Sequence, residues 1–142
     1  MPDENTVVSI GEAAEASGTS TPTIRYYEEI SLIPPARRSA AGHRHYTRPD
    51  INRLTFIRRC RDLGFGIGQV RVLSGLSASP DEDCTAVQFI DIAADRLSSV
   101  RRKLDELHRL EEQLAEFVEA CDRSCCGGAS RDCVVLAELA HA

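Results

Sequence analysis

The sequence predicts a mainly α-helical chain of 142 residues, in which short helices and one hairpin precede a single long helix. In the first half, short apolar stretches at helical spacing are bounded by Ser, Thr, Gly and Pro. Between Cys84 and Cys126 neither Pro nor Gly occurs, and apolar residues recur with a heptad period. We therefore expect a domain of short helices at 8–76, a linker at 77–83, a long helix at 84–120 and a separate segment at 121–142.

The first two helices have clear start and stop signals. Ser9 and the glutamate three residues later predict a capping box, and Gly18 predicts the end of that helix. Thr21 followed by Pro22 predicts the N-cap and first residue of a second helix that continues to residue 28. Two short helices joined by a turn of small residues predict a helix-turn-helix.

A basic hairpin and two more helices follow. Small residues and a glycine between arginines predict a hairpin over 37–46, either an ordinary surface hairpin or a wing along the DNA backbone. Thr47 is the expected cap of a third helix, 51–63, and Leu76 ends a fourth short one. Cys60 is predicted to be a core residue of the third helix, not a ligand. The buried stripe predicted on this helix comprises Ile51, Leu54, Phe56, Ile57 and Cys60.

Charge is unevenly distributed along the chain. Residues 1–76 carry 10 basic and 8 acidic side chains, net +2, whereas residues 77–142 carry 7 and 14, net −7. Eight arginines lie between positions 37 and 61, where Asp50 is the one acidic residue. This density is typical of a phosphate-binding face, so we expect the front half to bind double-stranded DNA. Side chains of the second helix that could meet base edges and phosphates are Thr23, Arg25, Tyr26 and Tyr27.

The composition argues against a membrane protein, a disulfide-rich secreted protein and an enzyme. No apolar run approaches the roughly 20 residues of a membrane span, and the polar, acidic N-terminus does not resemble a signal peptide. We therefore expect a cytoplasmic protein without a membrane partner, whose six cysteines are reduced. The sequence also offers no nucleophile–base constellation, so no enzymatic activity is expected.

The long helix is predicted to associate with a second helix. A helix of about 55 Å cannot bury a continuous apolar stripe by itself. The heptad pattern does not distinguish a parallel pair from an antiparallel one. One heptad position carries Ile90, Leu97, Leu104 and Val118, and the other carries Val100, Leu107, Leu114 and Cys121.

Four of the six cysteines lie within 13 residues at the end of this helix. Two glycines beside the central pair permit a tight loop. Thiolates select soft or borderline ions such as Zn(II), Cd(II), Hg(II), Pb(II) and Cu(I). In a reducing compartment the cluster therefore predicts a metal or redox site rather than disulfides. The four residues are Cys121, Cys125, Cys126 and Cys133.

Four segments of the front half resemble the mercury-resistance-regulator (MerR) family of transcriptional regulators: Thr23–Glu28, Leu32–Arg37, Gly42–Tyr46 and Phe56–Phe65. The resemblance implies a winged helix-turn-helix, a homodimer built on antiparallel coiled-coil helices, and a C-terminal metal-binding loop. It further implies activation by distortion of promoter DNA, so that RNA polymerase can engage both promoter elements. The DNA-contact residues expected on this basis are Ile10, Thr23, Arg25, Tyr26, Tyr27, Arg38, His43, Arg44 and Tyr46.

The resemblance also bears on the effector. In related metal sensors two loop cysteines bind the ion, and a third, at the start of the partner's long helix, accompanies divalent ions. Cys84 is the candidate for that position, which favours a divalent soft metal (Zn, Cd, Pb or Hg). The expected target is a metal efflux or detoxification operon. The ligand set we expect is Cys84, Cys121, Cys126 and Cys133, ranked above Cys125. Two alternatives stay open, namely a Cu(I) sensor and a redox sensor that uses the thiols or a [2Fe–2S] cluster.

Overall fold

The computed structural model describes residues 6–78, 82–124 and 133–141, with side chains at all of these except 78, 82–86 and 124. The described residues are mainly helical, with three short strands. None of the helices in this described part combines the length and the apolar character that a membrane span requires. The chain divides into two compact units, residues 1–93 and residues 94–142.

The first unit contains the predicted helix-turn-helix and hairpin. Its core joins residues from every helix of the unit, and Tyr46, Ile24, Leu54, Ile57 and Val70 are its largest fully buried side chains. Its elements are β1 (Val8–Ser9), α1 (Ile10–Ser17), α2 (Thr21–Glu29), β2 (Arg37–Arg38), β3 (Arg44–Tyr46), α3 (Arg48–Asp62), α4 (Ile67–Ala78) and the beginning of α5 (Glu82–Ser124).

The helix caps of the first unit follow the local sequence signals closely. At the start of α1, Ser9 donates its backbone N–H to a Glu12 carboxylate oxygen at 2.8 Å and accepts from the Glu12 N–H at 3.3 Å. The bond from the Ser9 backbone lowers the pKa of Glu12. Gly18 ends the helix with a left-handed φ of 68°. The predicted N-cap of α2 was wrong by one residue, because the hydroxyl that accepts the Thr23 N–H belongs to Ser20, not to Thr21.

The hairpin is part of a larger sheet than the sequence predicted. Strand β3 pairs antiparallel with β2, as expected, and also with β1, which gives the strand order β1-β3-β2. Val8 lies opposite Tyr46, and Arg38 lies opposite Arg44. A strand of two residues has no periodicity to detect, so β1 was not foreseen. Its pairing ties the N-terminal end of α1 to the wing.

The stripe predicted on α3 is confirmed. Ile51, Leu54, Ile57 and Cys60 are buried, and Phe56 packs against the same core while partly exposed. Burial raises the pKa of the Cys60 thiol, which suits an inert core residue rather than a metal ligand. A capping box between Thr47 and the aspartate at N3 begins this helix at Arg48, three residues before the predicted position.

Helix α5 extends beyond the predicted range of 84–120 at both ends. It begins at Glu82, where acidic side chains favour a helix N-terminus, and it continues to Ser124 because no breaker precedes Gly127. Cys121 therefore lies inside the helix instead of in the following segment. Similarly, α4 continues to Ala78, inside the predicted linker.

The second unit contains the remainder of α5 and the short terminal helix α6 (Val134–Ala140). Between 101 and 116 every side chain of α5 is exposed. Near the end of α5, Phe117, Ala120 and Cys121 become half-buried, and Val135 of α6 is buried. The exposed apolar residues of α5 in this unit are Leu97, Val100, Leu104, Leu107, Leu110, Leu114 and Val118.

Candidate DNA-binding face and thiol site

Helix α2 presents two of its predicted contact residues to solvent. Arg25 and Tyr26 are exposed, and Tyr26 retains 48% of its accessible surface. The hydroxyl of Thr23 lies 2.6 Å from that of Ser20, so it also takes part in the cap. Tyr27 lies in the core with its ring centroid 6.1 Å from that of Tyr26. A cation and an aromatic hydroxyl on an exposed helix face can bind phosphate and base edges.

The wing ends in a tight turn that exposes His43. The Gly42 N–H donates to the Ser39 carbonyl at 2.9 Å, and the Ser39 N–H donates to the His43 carbonyl at 2.8 Å. Gly42 has a φ of 82°, a left-handed conformation that favours glycine. Arg38 donates to the Gly42 carbonyl at 3.0 Å, which holds its guanidinium beside the tip of the wing.

A buried carboxylate joins the wing to α2. Glu28 accepts from the Tyr46 hydroxyl at 2.5 Å and from Nε of Arg44 at 3.2 Å, and its side chain is only 11% exposed. Burial of the phenol and its bond to this carboxylate raise the pKa of Tyr46 well above the usual range. Tyr46 is 1% exposed, so it supports the wing from within and offers almost no surface to DNA. Arg44, with 29% of its side chain exposed, keeps two terminal nitrogens for a further contact.

The arginines of the first unit differ in their partners. Some donate to carbonyls at helix ends: Nε of Arg58 to Ser17 at 2.9 Å, and Nη1 of Arg61 to Phe65 at 2.8 Å. The basic stretch that the sequence assigned to a phosphate-binding face thus includes two residues with structural duties. Other arginines have no hydrogen bond or ion pair among the described residues: Arg25, Arg37, Arg48, Arg53 and Arg59.

Ile10, also among the predicted contacts, is the first residue of α1 and is half-buried against the core. It follows β1 directly, so the strand pairing fixes its position beside the sheet. The described positions of the nine predicted residues therefore differ in what they can offer. Exposed groups are carried by Arg25, Tyr26, Arg38 and His43; partly exposed ones by Ile10, Thr23 and Arg44; and buried ones by Tyr27 and Tyr46.

Two of the predicted metal ligands lie side by side in the second unit. Sγ of Cys121, in the last turn of α5, is 3.9 Å from Sγ of Cys133, the N-cap residue of α6, and both side chains are half-buried. A disulfide would require about 2.0 Å. Two thiolates about 2.3 Å from one tetrahedral ion lie about 3.8 Å apart, so this sulfur pair fits the chemistry of a soft divalent ion.

The other three predicted ligands are outside this description. Cys125 and Cys126 fall outside the described residues, and Cys84 lies in the first turn of α5 with its side chain outside them. Within the described ranges, no group of three or more His, Cys, Asp or Glu side chains is arranged to hold a metal ion.

The sequence matches known regulators along most of its length. Residues 8–74 match the MerR HTH regulatory-protein family, and residues 51–117 match the MerR DNA-binding family. An uncharacterised HTH-type transcriptional regulator of Pseudomonas aeruginosa is 41% identical over 133 residues, which cover 94% of this chain and 96% of that protein. The chain belongs to the MerR family. This membership confirms the resemblance found in the sequence motifs, and it makes the chain a transcriptional regulator rather than an enzyme.

Two further transcriptional regulators are similar to the chain over most of its length. A probable heavy metal-dependent transcriptional regulator of Haemophilus influenzae is 33% identical over 129 residues, 91% of this chain and 96% of that protein. The crystal structure of the regulator PbrR691 from Ralstonia metallidurans CH34 in complex with lead(II) has a TM-score of 0.76 and 32% identity, and covers 93% of this chain and 98% of that chain. The predicted fold, a helical DNA-binding domain with a small sheet and a long following helix, is confirmed by this match.

Sequence reasoning missed the residues that hold the MerR DNA-binding unit together. Glu28 was noted only as part of a motif, although a carboxylate behind two aromatic residues in an otherwise basic region is a signal for an internal partner. Arg58 was counted among the phosphate-binding arginines, but it binds the carbonyl of Ser17, which is 41 residues away in the sequence. Local sequence patterns do not predict a contact between residues so far apart.

Proposed function

We propose that this chain is a homodimeric, metal-responsive transcriptional activator whose effector is a soft divalent ion bound by thiolates at the end of α5. The observation that carries the proposal is the Cys121–Cys133 pair, with its sulfurs 3.9 Å apart at the end of the long helix of a MerR-family regulator. The structural similarity to a lead(II)-bound regulator supports it.

DNA binding is assigned to α2 and the wing. Helix α2 lies in the major groove, where Arg25 and Tyr26 contact the DNA. Arg38, His43 and Arg44 bind the sugar–phosphate backbone from the wing. Ile10 and Thr23 lie at its margin, whereas Tyr27 and Tyr46 act from the core by fixing α2 and β3. The network around Glu28 keeps the wing in register with the recognition helix, which rigid recognition of one DNA site requires.

A second copy of the chain is the proposed partner of α5. Its exposed apolar residues include Leu107 and Leu114, which are each more than half exposed in the single chain. These residues recur over about six turns, a pattern that a soluble helix does not sustain without a partner. An antiparallel pair is favoured by the cysteines. Cys84 and Cys121 occupy opposite ends of one helix, so they can bind the same ion only if they come from two chains.

The metal site then spans the dimer. Cys121 and Cys133 of one protomer are joined by Cys84 of the partner subunit, and Cys126 is ranked above Cys125 as a further ligand. A separation of 3.9 Å favours an angular arrangement of the two sulfurs over a linear one, in which the separation is twice the metal–sulfur distance. Zn, Cd, Pb and Hg are the proposed ions; Cu(I) and a [2Fe–2S] cluster are the rivals that the experiment below excludes or selects.

Regulation requires that the ion bind two states of the dimer differently. An ion that binds both states equally shifts nothing, whereas typical couplings are about 1–3 kcal/mol, or roughly 5–150-fold. The favoured state holds the two DNA-binding units so that the promoter is bent and untwisted, which costs several kcal/mol. RNA polymerase then engages the promoter of a metal efflux or detoxification operon in the cytoplasm.

Anaerobic titration of the reduced, full-length protein with Zn(II), Cd(II), Pb(II), Hg(II) and Cu(I) tests the metal assignment. Tight binding of the divalent ions should be lost in Cys121→Ser and Cys133→Ser and weakened in Cys84→Ser, while Cys60→Ala, which removes a core thiol, should bind as the wild type does. Preferential Cu(I) binding that ignores Cys84 would select the copper alternative. A visible iron–sulfur chromophore, or no competitive metal binding at all, would replace metal sensing with redox sensing.

A further inference from the structure

The recognition helix α2 ends in a turn that places a serine in the left-handed region. The Leu32 N–H donates to the Tyr27 carbonyl at 2.8 Å and the Ser31 N–H donates to the Glu28 carbonyl at 3.0 Å, the two bonds of a Schellman motif. Ser31 has a φ of 56°, at the position of this motif where glycine is preferred. The turn is therefore not stabilised by its own sequence as well as it could be.

Arg71 of α4 binds the exit of this turn. Its Nη2 donates to the Ile30 carbonyl at 2.7 Å, and its Nη1 donates to the Ser31 carbonyl at 2.8 Å. The planar guanidinium fork suits two neighbouring acceptors, and its positive charge is favourable at a helix C-terminus. The contact joins residues 40 and 41 positions apart in sequence, so it is a tertiary clamp rather than a local cap.

We infer that Arg71 is a positioning residue for DNA recognition, which fixes the orientation of α2 against α4 and does not itself bind DNA. The inference rests on the proposed role of α2 in DNA binding. Helix α4 is the last element before α5, and Ile92 of α5 packs against the core of the same unit. A displacement of α4 consequently reaches the recognition helix through the Arg71 fork.

The dependence of DNA affinity on salt separates a positioning arginine from a phosphate contact. Each phosphate contact contributes about 0.9 to the slope of log affinity against log salt concentration, and a positioning residue contributes nothing. The test uses the full-length protein and a duplex that the wild type selects from a random-sequence DNA pool. The variants are Arg71→Ala and Arg71→Lys, and the control is Arg61→Ala, which removes a guanidinium–carbonyl bond at the end of α3 instead of α2.

Arg71→Ala should bind the selected duplex on the order of tenfold more weakly, with an unchanged salt slope. Arg71→Lys should fall between the alanine variant and the wild type, since one ammonium cannot reproduce the fork. Arg61→Ala should stay within about twofold of the wild type. Circular dichroism verifies that each variant is folded, and if Arg71→Ala is not, the lysine variant decides.

Three results would overturn the inference. A slope reduced by about one in Arg71→Ala would place Arg71 on a phosphate. If Arg71→Ala binds the duplex with wild-type affinity, the orientation of α2 does not depend on the Arg71 guanidinium. If the alanine variant is unfolded, wild-type affinity in Arg71→Lys has the same meaning. If the wild type selects no duplex above its affinity for bulk DNA, the proposed function itself fails, and the inference fails with it.

Discussion

Gly18, in the turn between α1 and α2, combines a left-handed backbone with a close neighbour for an added methyl group. Its φ is 68°, and a Cβ added there would lie 3.0 Å from Nε and 3.1 Å from Cδ of Arg58. Gly42, at the tip of the wing, has a similar φ of 82° and no atom within 4 Å of such a Cβ. Gly18→Ala and Gly42→Ala therefore share the backbone strain and differ in the contact.

The difference in stability between these variants follows from the Arg58 contact. A left-handed alanine costs about 1–2 kcal/mol, and the lower entropy of the unfolded chain returns about 0.4–1 kcal/mol in both variants. In Gly18→Ala, Nε and Cδ of Arg58 must also shift by a few tenths of an ångström, which weakens the 2.9 Å bond from Nε to the Ser17 carbonyl, at a cost of up to about 1.5 kcal/mol. The Arg58–Asp62 ion pair is exposed and contributes at most about 1 kcal/mol.

Denaturant unfolding measures both variants at one fixed protein concentration, because association of the chains would make stability concentration-dependent. Gly18→Ala should be destabilised more than Gly42→Ala, by up to about 1.5 kcal/mol. In the double variant Gly18→Ala/Arg58→Ala the added methyl group no longer meets the Arg58 side chain. Its free energy of unfolding should therefore differ from that of Arg58→Ala alone only by the backbone strain of a left-handed alanine. Equal losses for the two glycine variants would refute the reasoning.

Three further results are expected. The raised pKa keeps the Tyr46 phenol neutral in the folded protein, whereas in the unfolded chain this phenol ionises above about pH 10. The free energy of unfolding should therefore fall above that pH, by at most about 1.4 kcal/mol per pH unit for this one proton. Tyr46→Phe should lack this contribution, so identical alkaline unfolding profiles of the variant and the wild type would contradict the prediction. Glu28→Gln should weaken binding of the selected duplex several-fold without changing metal affinity, because it loosens the wing from α2; equal loss of both would point to general unfolding. In sedimentation experiments Leu107→Glu should shift the protein towards monomer, while Arg109→Glu, on the opposite side of α5, should not.

Features encoded by adjacent residues were predictable from the sequence. The capping box at Ser9, the left-handed Gly18 and the buried stripe of α3 depend on spacing within one or two turns, and each was found where the pattern predicted it. The N-cap of α2 was misplaced by one residue because Ser20 and Thr21 are both good caps, and only the hydrogen bond distinguishes them.

Features created by distant residues were not predictable in this way. Arg58 and Arg61 were counted in the basic stretch of 37–61, and Arg71 was assigned no role. Each of the three binds a carbonyl at a helix end, and the contacts of Arg58 and Arg71 join segments about forty residues apart. Tyr46 was expected on the DNA face, whereas its side chain packs in the hydrophobic core and its hydroxyl donates to Glu28. Alternation over three residues is too short to tell the two faces apart.

The thiol site stays a prediction, and two of its expected ligands are near each other. Clustered cysteines after a helix indicate a soft-metal site, and Cys121 and Cys133 do lie side by side. Which of Cys84, Cys125 and Cys126 completes the set depends on a second chain and on the path of the segment after α5. The spacing of the cysteines along the chain predicts neither the position of a second chain nor the path of this segment.

The most direct test of the central claim is transcription by purified RNA polymerase from a promoter that carries the selected duplex, with the reduced protein and the divalent ion that binds it most tightly. The wild type should raise the transcript level when the ion is added, and Cys121→Ser and Cys133→Ser should bind the promoter but give no increase. Cys60→Ala should respond as the wild type does. An equal transcript level with and without the ion, or full induction in both serine variants, would contradict the account.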